Sequence, residues 1–206
     1  MIARGASPLV FAPLVGTAAC MALAILFGAR ELLYPGLPLG LLFLFLLAFF
    51  RDPDRRLGRG IVSPADGRVI EADGERNRVT VFMGVHNVHV NRAPWDGRIT
   101  KMTYSPGGHA PAYAPEAARN ERLETVLDTP LGPIRITQVA GVFARRIVPY
   151  RREGDRVKKG QRIGMIRFGS RVELVLPPGV RIVVRVGERV RAGESTVAEV
   201  AGGRVR

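Results

Sequence analysis

Two long apolar blocks open the chain. Residues 9–28 and 32–50 carry no charged side chain, and only Ala29, Arg30 and Glu31 separate them. About 20 apolar residues in a helix cross about 30 Å of hydrocarbon, so this pattern predicts a membrane-spanning hairpin of two helices. The alternatives are a signal peptide followed by a buried helix, which the missing cleavage site disfavours, and two interfacial helices, which would need a polar face.

From residue 61 onwards the pattern changes to short alternating or β-branched runs, broken by Gly, Pro and Asp. Runs of this kind at this spacing predict a mainly β domain of the sandwich or barrel type. We expect helix in this region only as a turn near residues 114–119. The predicted strands are 61–62, 68–71, 78–83, 98–104, 124–127, 134–139, 164–167, 171–176 and 182–186.

Two short phrases recur within the β region. Residues 154–160, Gly-Asp-Arg-Val-Lys-Lys-Gly, return as residues 187–193, Gly-Glu-Arg-Val-Arg-Ala-Gly, and the Asp-Gly-Arg of residues 66–68 returns at 96–98. These phrases resemble the hairpin turns of barrel-sandwich domains such as biotinyl and lipoyl carriers. Two imperfect copies of each indicate repeated turn chemistry within one barrel-sandwich-like domain rather than a solenoid.

These shifts in composition divide the chain into three segments. We assign residues 1–50 to a membrane anchor, residues 51–60 to a basic linker and residues 61–206 to the β domain. The first boundary is the end of the apolar blocks at residue 50, and the second is the start of the alternating pattern at residue 61.

Most of the charge lies outside the apolar blocks. The chain carries +13, of which residues 1–50 supply +1 from Arg4 and Arg30 against Glu31, so residues 51–206 supply +12. A domain this basic beside a bilayer is attracted to anionic lipid. Nucleic acid is the poorer interpretation, because no aromatic side chains are interleaved with the arginines.

The charges that flank the apolar blocks predict an orientation. Arg51, Arg55 and Arg56 follow the second block, whereas the single arginine of the connecting loop is offset by Glu31. The positive-inside rule therefore places both ends of the hairpin, and the β domain, on the cytoplasmic side of the cell membrane. The only cysteine, Cys20, lies within the first block and allows no intrachain disulfide, which agrees with a cytoplasmic domain.

The candidate catalytic residues start with two histidines that lie three residues apart. His86 and His89 would share one face of a helix but point to opposite faces of a strand. A zinc site lacks support, because no cysteine lies nearby and no HExxH pattern exists. Asp66 is able to orient an imidazole, and Ser170 is able to give that imidazole a proton. Together with a histidine they form an arrangement in which serine is the nucleophile, histidine the base and aspartate the residue that orients the base. Two structural histidines and an ordinary Asp-Gly turn remain the alternatives.

A glycine precedes the candidate nucleophile directly. In Phe168-Gly169-Ser170-Arg171 the hydroxyl of Ser170 is placed to attack the carbonyl of Gly169 and split the backbone. Glycine favours this chemistry because it lacks a Cβ, which permits a strained turn and leaves the carbonyl open. An isolated Gly-Ser pair is more often an ordinary turn.

Five motifs follow one another along the chain: Ser63-Pro64-Ala65-Asp66-Gly67, His86-x-x-His89, Asn120-Glu121-Arg122 with Asp128-Thr129-Pro130-Leu131-Gly132, residues 154–160, and Phe168-Gly169-Ser170. In this order they resemble the phosphatidylserine decarboxylase family in its short prokaryotic form. The resemblance covers about residues 50–180. The chain departs from the family at the cleavage site, where many members have Leu-Gly-Ser-Thr, and His109 matches no family motif.

The resemblance implies self-processing of a zymogen. Ser170 would attack the Gly169 carbonyl with His89 as the base and Asp66 as its orienter. Elimination and hydrolysis would then leave a pyruvoyl group at position 170. The products would be a β chain of residues 1–169 and an α chain of residues 170–206, held together without a covalent link.

The resemblance also implies the reaction. The pyruvoyl group derived from Ser170 would form a Schiff base with the amine of phosphatidylserine and accept the electrons released with CO2, giving phosphatidylethanolamine without pyridoxal phosphate or a metal. His86 would protonate the product carbon. Arg145, Arg146 and Arg171 are the candidates for holding the lipid phosphate. A homo-oligomer is compatible with this interpretation, and nucleic acid is not expected as a partner.

Two rival functions remain at this stage. A membrane-anchored, non-catalytic carrier or adaptor accounts for the hairpin phrases but not for Asp66, His89 and Ser170. Such a carrier needs a lysine at its hairpin tip, and the chain has only Lys101, Lys158 and Lys159. A pyruvoyl decarboxylase of another amine would not need the apolar blocks.

Overall fold

The structure, a computed structural model, describes residues 1–108, 110, 119–141, 146–167 and 170–200. It contains two compact units, Met1–Pro53 and Asp54–Arg206. Five elements of the sequence predictions lie outside the described residues: residues 114–118 of the expected helical turn, His109, Arg145, Phe168 and Gly169.

The first unit is a hairpin of two helices. Helix α1 is Ser7–Phe27, a short 3-10 helix covers Arg30–Leu32, and helix α2 is Leu33–Phe49. The predicted bounds of the two helices differ from these by one or two residues. Gly28 ends α1 with φ 65°, a left-handed conformation that glycine adopts without steric cost.

Both helices are long and apolar enough to cross a bilayer. Most of their apolar side chains are exposed, including Ile25 and Tyr34 at 79% and 80%. Within the hairpin, the Thr17 hydroxyl donates to the carbonyls of Pro13 and Gly36, 2.9 and 3.4 Å away. Such exposure is unfavourable in water and favourable in hydrocarbon, so the hairpin supports membrane association.

The described part of the second unit consists of short strands. They are β1 Ile61–Val62, β2 Gly67–Asp73, β3 Arg78–Met83, β4 Val90–Arg92, β5 Gly97–Ser105, β6 Arg122–Asp128, β7 Ile134–Ala140, β8 Ile147–Pro149, β9 Arg156–Val157, β10 Arg162–Ile166, β11 Ser170–Val175, β12 Val180–Ile182, β13 Arg189–Val190 and β14 Thr196–Val200. The prediction of a mainly β domain is confirmed.

These strands form three sheets in which every pair is antiparallel. The largest has the order β13-β2-β3-β11-β7-β6-β5-β9, and two three-stranded sheets have the orders β1-β14-β12 and β4-β10-β8. Across the described residues the large sheet stays open at β13 and β9, so the strand pairing closes no barrel.

The sheet orders contain an internal two-fold repeat. The series β13-β2-β3-β11 is matched by β9-β5-β6-β7, and β1-β14-β12 is matched by β4-β10-β8. Both β2–β3 and β5–β6 contain a register shift at the same place, after Val69 and after Ile99. We call β1–β3 with β11–β14 the split half and β4–β10 the continuous half, and residues at the same position in the two halves counterparts.

The repeated sequence phrases pair with each other in the two halves. Gly67 lies opposite Val190 in the split half, and Gly97 lies opposite Val157 in the continuous half. The turn glycines also match, with φ 89° and 95° at residues 154 and 187, and 76° and 77° at residues 160 and 193. The phrases are therefore the two copies of one strand pair and its turns.

The strands of the split half come from two separate stretches of the chain. The whole continuous half is inserted between β3 and β11, so the chain crosses between the halves twice: the first crossing covers residues 84–89, and the second begins at Arg167. At the corresponding point of the continuous half, β6 and β7 are joined by a tight turn in which the Gly132 N–H donates to the Thr129 carbonyl. Both crossings contain candidate site residues.

Candidate active site

Ser170 is the first residue of β11, in the middle of the large sheet. It lies opposite Met83 of β3 on one side and Ala140 of β7 on the other. Alternate residues of β11 are buried, and Ser170 shares the inner face with Val172 and Leu174. Its side chain is fully buried and its hydroxyl lies 3.4 Å from the Met83 thioether.

The two histidines lie in the first chain crossing, on neither a helix nor a strand. A reciprocal pair of hydrogen bonds between Gly84 and Asn87 closes a turn, both at 2.9 Å. His86 is exposed on this turn, whereas His89 is 1% exposed at the edge of the core. The turn thus gives the two imidazoles separate environments.

A backbone contact fixes the ring of His89. Its Nδ1 lies 2.9 Å from the Asn87 carbonyl oxygen. A carbonyl only accepts hydrogen bonds, so Nδ1 carries the hydrogen and Nε2 of the neutral ring carries the lone pair. This tautomer is the one that is able to take a proton at Nε2.

Asp66 is also buried, at 6% exposure, and both carboxylate oxygens have partners. Oδ1 accepts the Ala192 N–H at 2.8 Å, and Oδ2 forms an ion pair with Arg55 at 2.7 Å. Arg55 also contacts Glu194 at 3.3 Å. The described hydrogen bonds of Asp66 and His89 therefore go to different partners, and the orienting role of Asp66 stays a prediction.

A buried polar cluster connects the segments that carry these residues. The Gln138 side-chain amide donates to Asn91 Oδ1 at 2.8 Å, and Asn91 Nδ2 lies 3.4 Å from the Pro64 carbonyl and 3.7 Å from Met83 Sδ. The Met83 sulfur is also the contact of the Ser170 hydroxyl. This cluster brings the Ser-Pro-Ala-Asp-Gly motif, the strand after His89 and the nucleophile together.

Arginines lie close to the second chain crossing. The Arg167 N–H donates to the Arg146 carbonyl at 3.3 Å. Burial lowers the pKa of the Arg167 guanidinium, and the positive charge of Arg146 lowers it further. Arg171 forms an ion pair with Glu173 at 2.8 Å. Of the three arginines predicted to hold phosphate, Arg146 is exposed and Arg171 has an acidic partner.

No metal centre is formed by the residues that the structure describes. Among them there is no group of three or more His, Cys, Asp or Glu side chains arranged to hold a metal ion. His89 has an imidazole, a group that is able to accept a proton, and Ser170 has a hydroxyl, a group that is able to act as a nucleophile.

Sequence reasoning missed Arg55, Asn87, Asn91, Gln138 and Met83. Of these, only Gln138 carried a readable signal, because it is a polar residue at an inward position of the predicted strand 134–139, whereas the three residues of β4 around Asn91 are all buried and show no alternation. The roles of the other four depend on contacts between distant segments, and no local pattern contains these.

The site can be compared with known proteins. The family model for phosphatidylserine decarboxylase matches residues 42–198. A phosphatidylserine decarboxylase proenzyme of Streptomyces griseus is 46% identical over 201 residues, which cover 95% of this chain and 92% of that protein.

Archaeal relatives match this chain at similar identity. A putative archaetidylserine decarboxylase proenzyme of Methanosarcina acetivorans is 42% identical over 99% of both chains. Another, of Archaeoglobus fulgidus, is 49% identical over 74% of this chain and 76% of its own. These matches confirm the prediction drawn from the sequence motifs, and the chain belongs to the phosphatidylserine decarboxylase family.

Proposed function

We propose that this protein decarboxylates phosphatidylserine to phosphatidylethanolamine, using a pyruvoyl group that it makes from Ser170 by cleaving itself after Gly169. The observation that carries the proposal is a fully buried serine at the start of a central strand, in a chain whose relatives are named decarboxylase proenzymes. A membrane-anchored, non-catalytic carrier or adaptor would leave this serine and the nearby histidines without a role.

The position of Ser170 suits a pyruvoyl group. Six residue pairs join β11 to β3 and six join it to β7, so the strand is held on both sides. When the chain is cut before position 170, these pairs keep the new end in place. The inner face around Ser170 is buried, which keeps bulk water from the carbonyl. In this family the pyruvoyl carbonyl supplies an electron sink for the pair of electrons released with CO2.

The cleavage step uses residues of this chain only. Ser170 Oγ adds to the Gly169 carbonyl carbon while its proton passes to His89 Nε2, the nitrogen with the lone pair. The Gly169–Ser170 C–N bond breaks and the serine nitrogen takes a proton, which leaves an ester. Loss of the Cα proton of Ser170 expels the Gly169 carboxylate, and hydrolysis of the resulting dehydroalanine releases ammonia.

His86 has a different task in this proposal. Its exposed position on the 84–87 turn gives it access to a head group arriving from outside the core. There it would deliver the proton that replaces CO2 on the substrate carbon. His89, buried and bound to the Asn87 carbonyl, would serve the cleavage step.

For the lipid phosphate we favour Arg146, with Arg167 beside it. Arg171 already pairs with Glu173, which reduces its attraction for another anion. Two guanidinium groups close together repel each other until an anion lies between them, and the lowered pKa of Arg167 reflects part of that repulsion. The serine head group is common to the names of the bacterial and archaeal relatives, so archaetidylserine is the second candidate substrate.

We further propose that the catalytic unit lies on the cytoplasmic side of the membrane. The support is the cluster of Arg51, Arg55 and Arg56 after the second apolar block. The hairpin would hold the enzyme where its lipid substrate is, and the +12 charge of residues 51–206 would attract anionic head groups.

The test combines processing with turnover. Full-length protein purified in detergent is analysed by intact mass and then given vesicles of phosphatidylserine or of archaetidylserine, with the amine product measured by mass spectrometry. We expect two fragments, the smaller without a free amino terminus, and conversion of at least one lipid. Ser170→Ala should give one uncleaved chain without activity. A wild-type chain that stays whole, or a Ser170→Ala chain that decarboxylates, would refute the proposal.

A further inference from the structure

The internal repeat provides a built-in comparison for the buried amide pair beside the nucleophile. Asn91 and Gln138 are 0% and 2% exposed, and their side chains are joined by a 2.8 Å hydrogen bond. Neither residue has a part in the cleavage or decarboxylation steps described above. Burying amide groups is unfavourable unless they are well bonded, so their presence needs a reason.

The other half of the domain shows that the fold does not require them. Counted along the paired strands, the counterpart of Asn91 is Ile61 and that of Gln138 is Leu176. Both counterparts are apolar, buried members of the core. The same strand positions are thus filled without any buried amide in the split half.

The residue opposite Asn91 on the neighbouring strand also differs between the two halves. Asn91 lies opposite Gly164, whereas Ile61 lies opposite Ala198. A Cβ at position 164 would come within 3.2 Å of the Gln138 amide nitrogen and 3.0 Å of the Val148 carbonyl. The absence of a side chain at this position leaves room for the amide of Gln138.

One sulfur atom contacts both the amide pair and the nucleophile. Asn91 Nδ2 and Ser170 Oγ both contact Met83 Sδ, at 3.7 and 3.4 Å. Gln138 also lies opposite Val172, two residues from Ser170 on the same inner face. The counterpart of Met83 is Thr129, whose hydroxyl donates instead to the Gly132 carbonyl and closes the β6–β7 turn.

We propose that Asn91 and Gln138 are positioning residues for self-cleavage, acting through Met83. The amide pair holds the thioether in one place, and the thioether accepts the Ser170 hydroxyl weakly enough to release it when His89 takes the proton. A displacement of the reacting oxygen by about 1 Å slows a reaction by about 10²-fold, which is the scale of the effect expected. The inference rests on the proposed self-cleavage at Ser170.

The test places the two apolar residue types of the split half at the corresponding positions of the continuous half. Full-length Asn91→Ile/Gln138→Leu is made by cell-free synthesis with detergent, and the uncleaved fraction is followed with time beside its melting temperature. Replacing both partners of a buried hydrogen bond by apolar groups of similar size is close to neutral for stability. We expect an unchanged or higher melting temperature with cleavage slowed about 10²-fold, and Met83→Leu should slow cleavage in the same way.

The matched control is Thr125→Val, which removes a buried hydroxyl from β6 but none of the hydrogen bonds of the cluster. It should cleave at the wild-type rate. Cleavage of the double variant at the wild-type rate would overturn the inference, and so would slow cleavage that comes with a lowered melting temperature, since that combination indicates a merely structural role. Failure of the wild-type chain to cleave would refute the proposed function instead, so the two failures are distinguishable.

Discussion

Two aspartates of this chain make the same contact, and only one of them has a further partner. Asp66 accepts the Ala192 N–H at 2.8 Å, and its counterpart Asp96 accepts the Lys159 N–H at 2.6 Å. Capping this turn is therefore a structural task common to both halves. The ion pair with Arg55 is described for Asp66 alone. Asp66 thus has a partner beyond what its turn needs.

Variants of these two aspartates distinguish an orienting role in cleavage from the structural role of capping the turn. The predicted orienting role of Asp66 requires that Asp66→Ala abolish self-cleavage or slow it by at least about 10²-fold. Asp96→Ala removes the equivalent turn contact, costs at most about 1 kcal/mol and should cleave normally. Gel analysis of both variants measures the difference. Equal cleavage in the two would leave Asp66 as a turn residue.

The histidines should also differ in what they do. His89→Ala should accumulate uncleaved precursor, because Ser170 loses the base at Nε2. His86→Ala should cleave normally yet decarboxylate about 10²–10⁴-fold more slowly, the usual contribution of a proton-transfer group. Fragment mass and product formation are measured on the same sample. Normal cleavage of the His89 variant would contradict this division.

At the residue scale, the sequence indicated candidate side chains by their chemistry. It gave no indication of the residues that contact them in the folded chain. Ser170, His86, His89 and Asp66 were chosen because few residue types perform nucleophilic or proton-transfer chemistry. Arg55 was assigned to a basic linker, since nothing near it in sequence indicates that it meets Asp66 in the folded chain. Contacts between distant segments are set by topology, which a local pattern does not contain.

At the scale of elements, most of the strands that were predicted are long enough to alternate. β3 was predicted with its observed bounds, and β2, β5, β6, β7, β10 and β11 were predicted to within two residues. β1 has only two residues and was also predicted with its observed bounds, because both of its residues are β-branched. β9 and β13 have two residues each and no measurable period. They form because the repeated turns bring them against β5 and β2. β14 and β4 were missed as well, and β12 was predicted too far along the chain.

The central place of β11 predicts how the cleaved protein behaves. The α chain begins with β11, which is paired on both sides with strands of the β chain, and it also contains β13 and β14, which pair with β2 and β1. We expect the two fragments to co-elute under native conditions and to separate only in denaturant. Size-exclusion chromatography followed by mass analysis of each peak measures this. Loss of the small fragment in native buffer would contradict the sheet arrangement.

At the scale of the whole molecule, the chain combines an apolar hairpin with a strongly basic catalytic unit. The hairpin exposes apolar side chains that hydrocarbon accommodates, and the substrate is itself a membrane lipid. The two compact units meet in sequence at Pro53 and Asp54. The proposed membrane attachment and the proposed catalysis thus fall in separate units, so removing one unit tests the division.

Removing residues 1–53 should therefore leave a protein that still cleaves itself but attaches to membranes only through charge. Residues 54–206 keep the +12 charge of residues 51–206, because the charges of Arg51 and Asp52 cancel, so attraction to anionic vesicles persists. Salt screens charges beyond about 8 Å at physiological ionic strength, so this binding should disappear as salt is raised, whereas the full-length protein stays bound. Vesicle sedimentation over a salt series measures both, with neutral vesicles as the control.

The proposed cytoplasmic position of the catalytic unit, which rests on Arg51, Arg55 and Arg56, is tested with external protease. On intact cells the protease should leave the catalytic unit whole, and on inverted membranes it should digest it. Digestion from outside intact cells would reverse the proposed orientation.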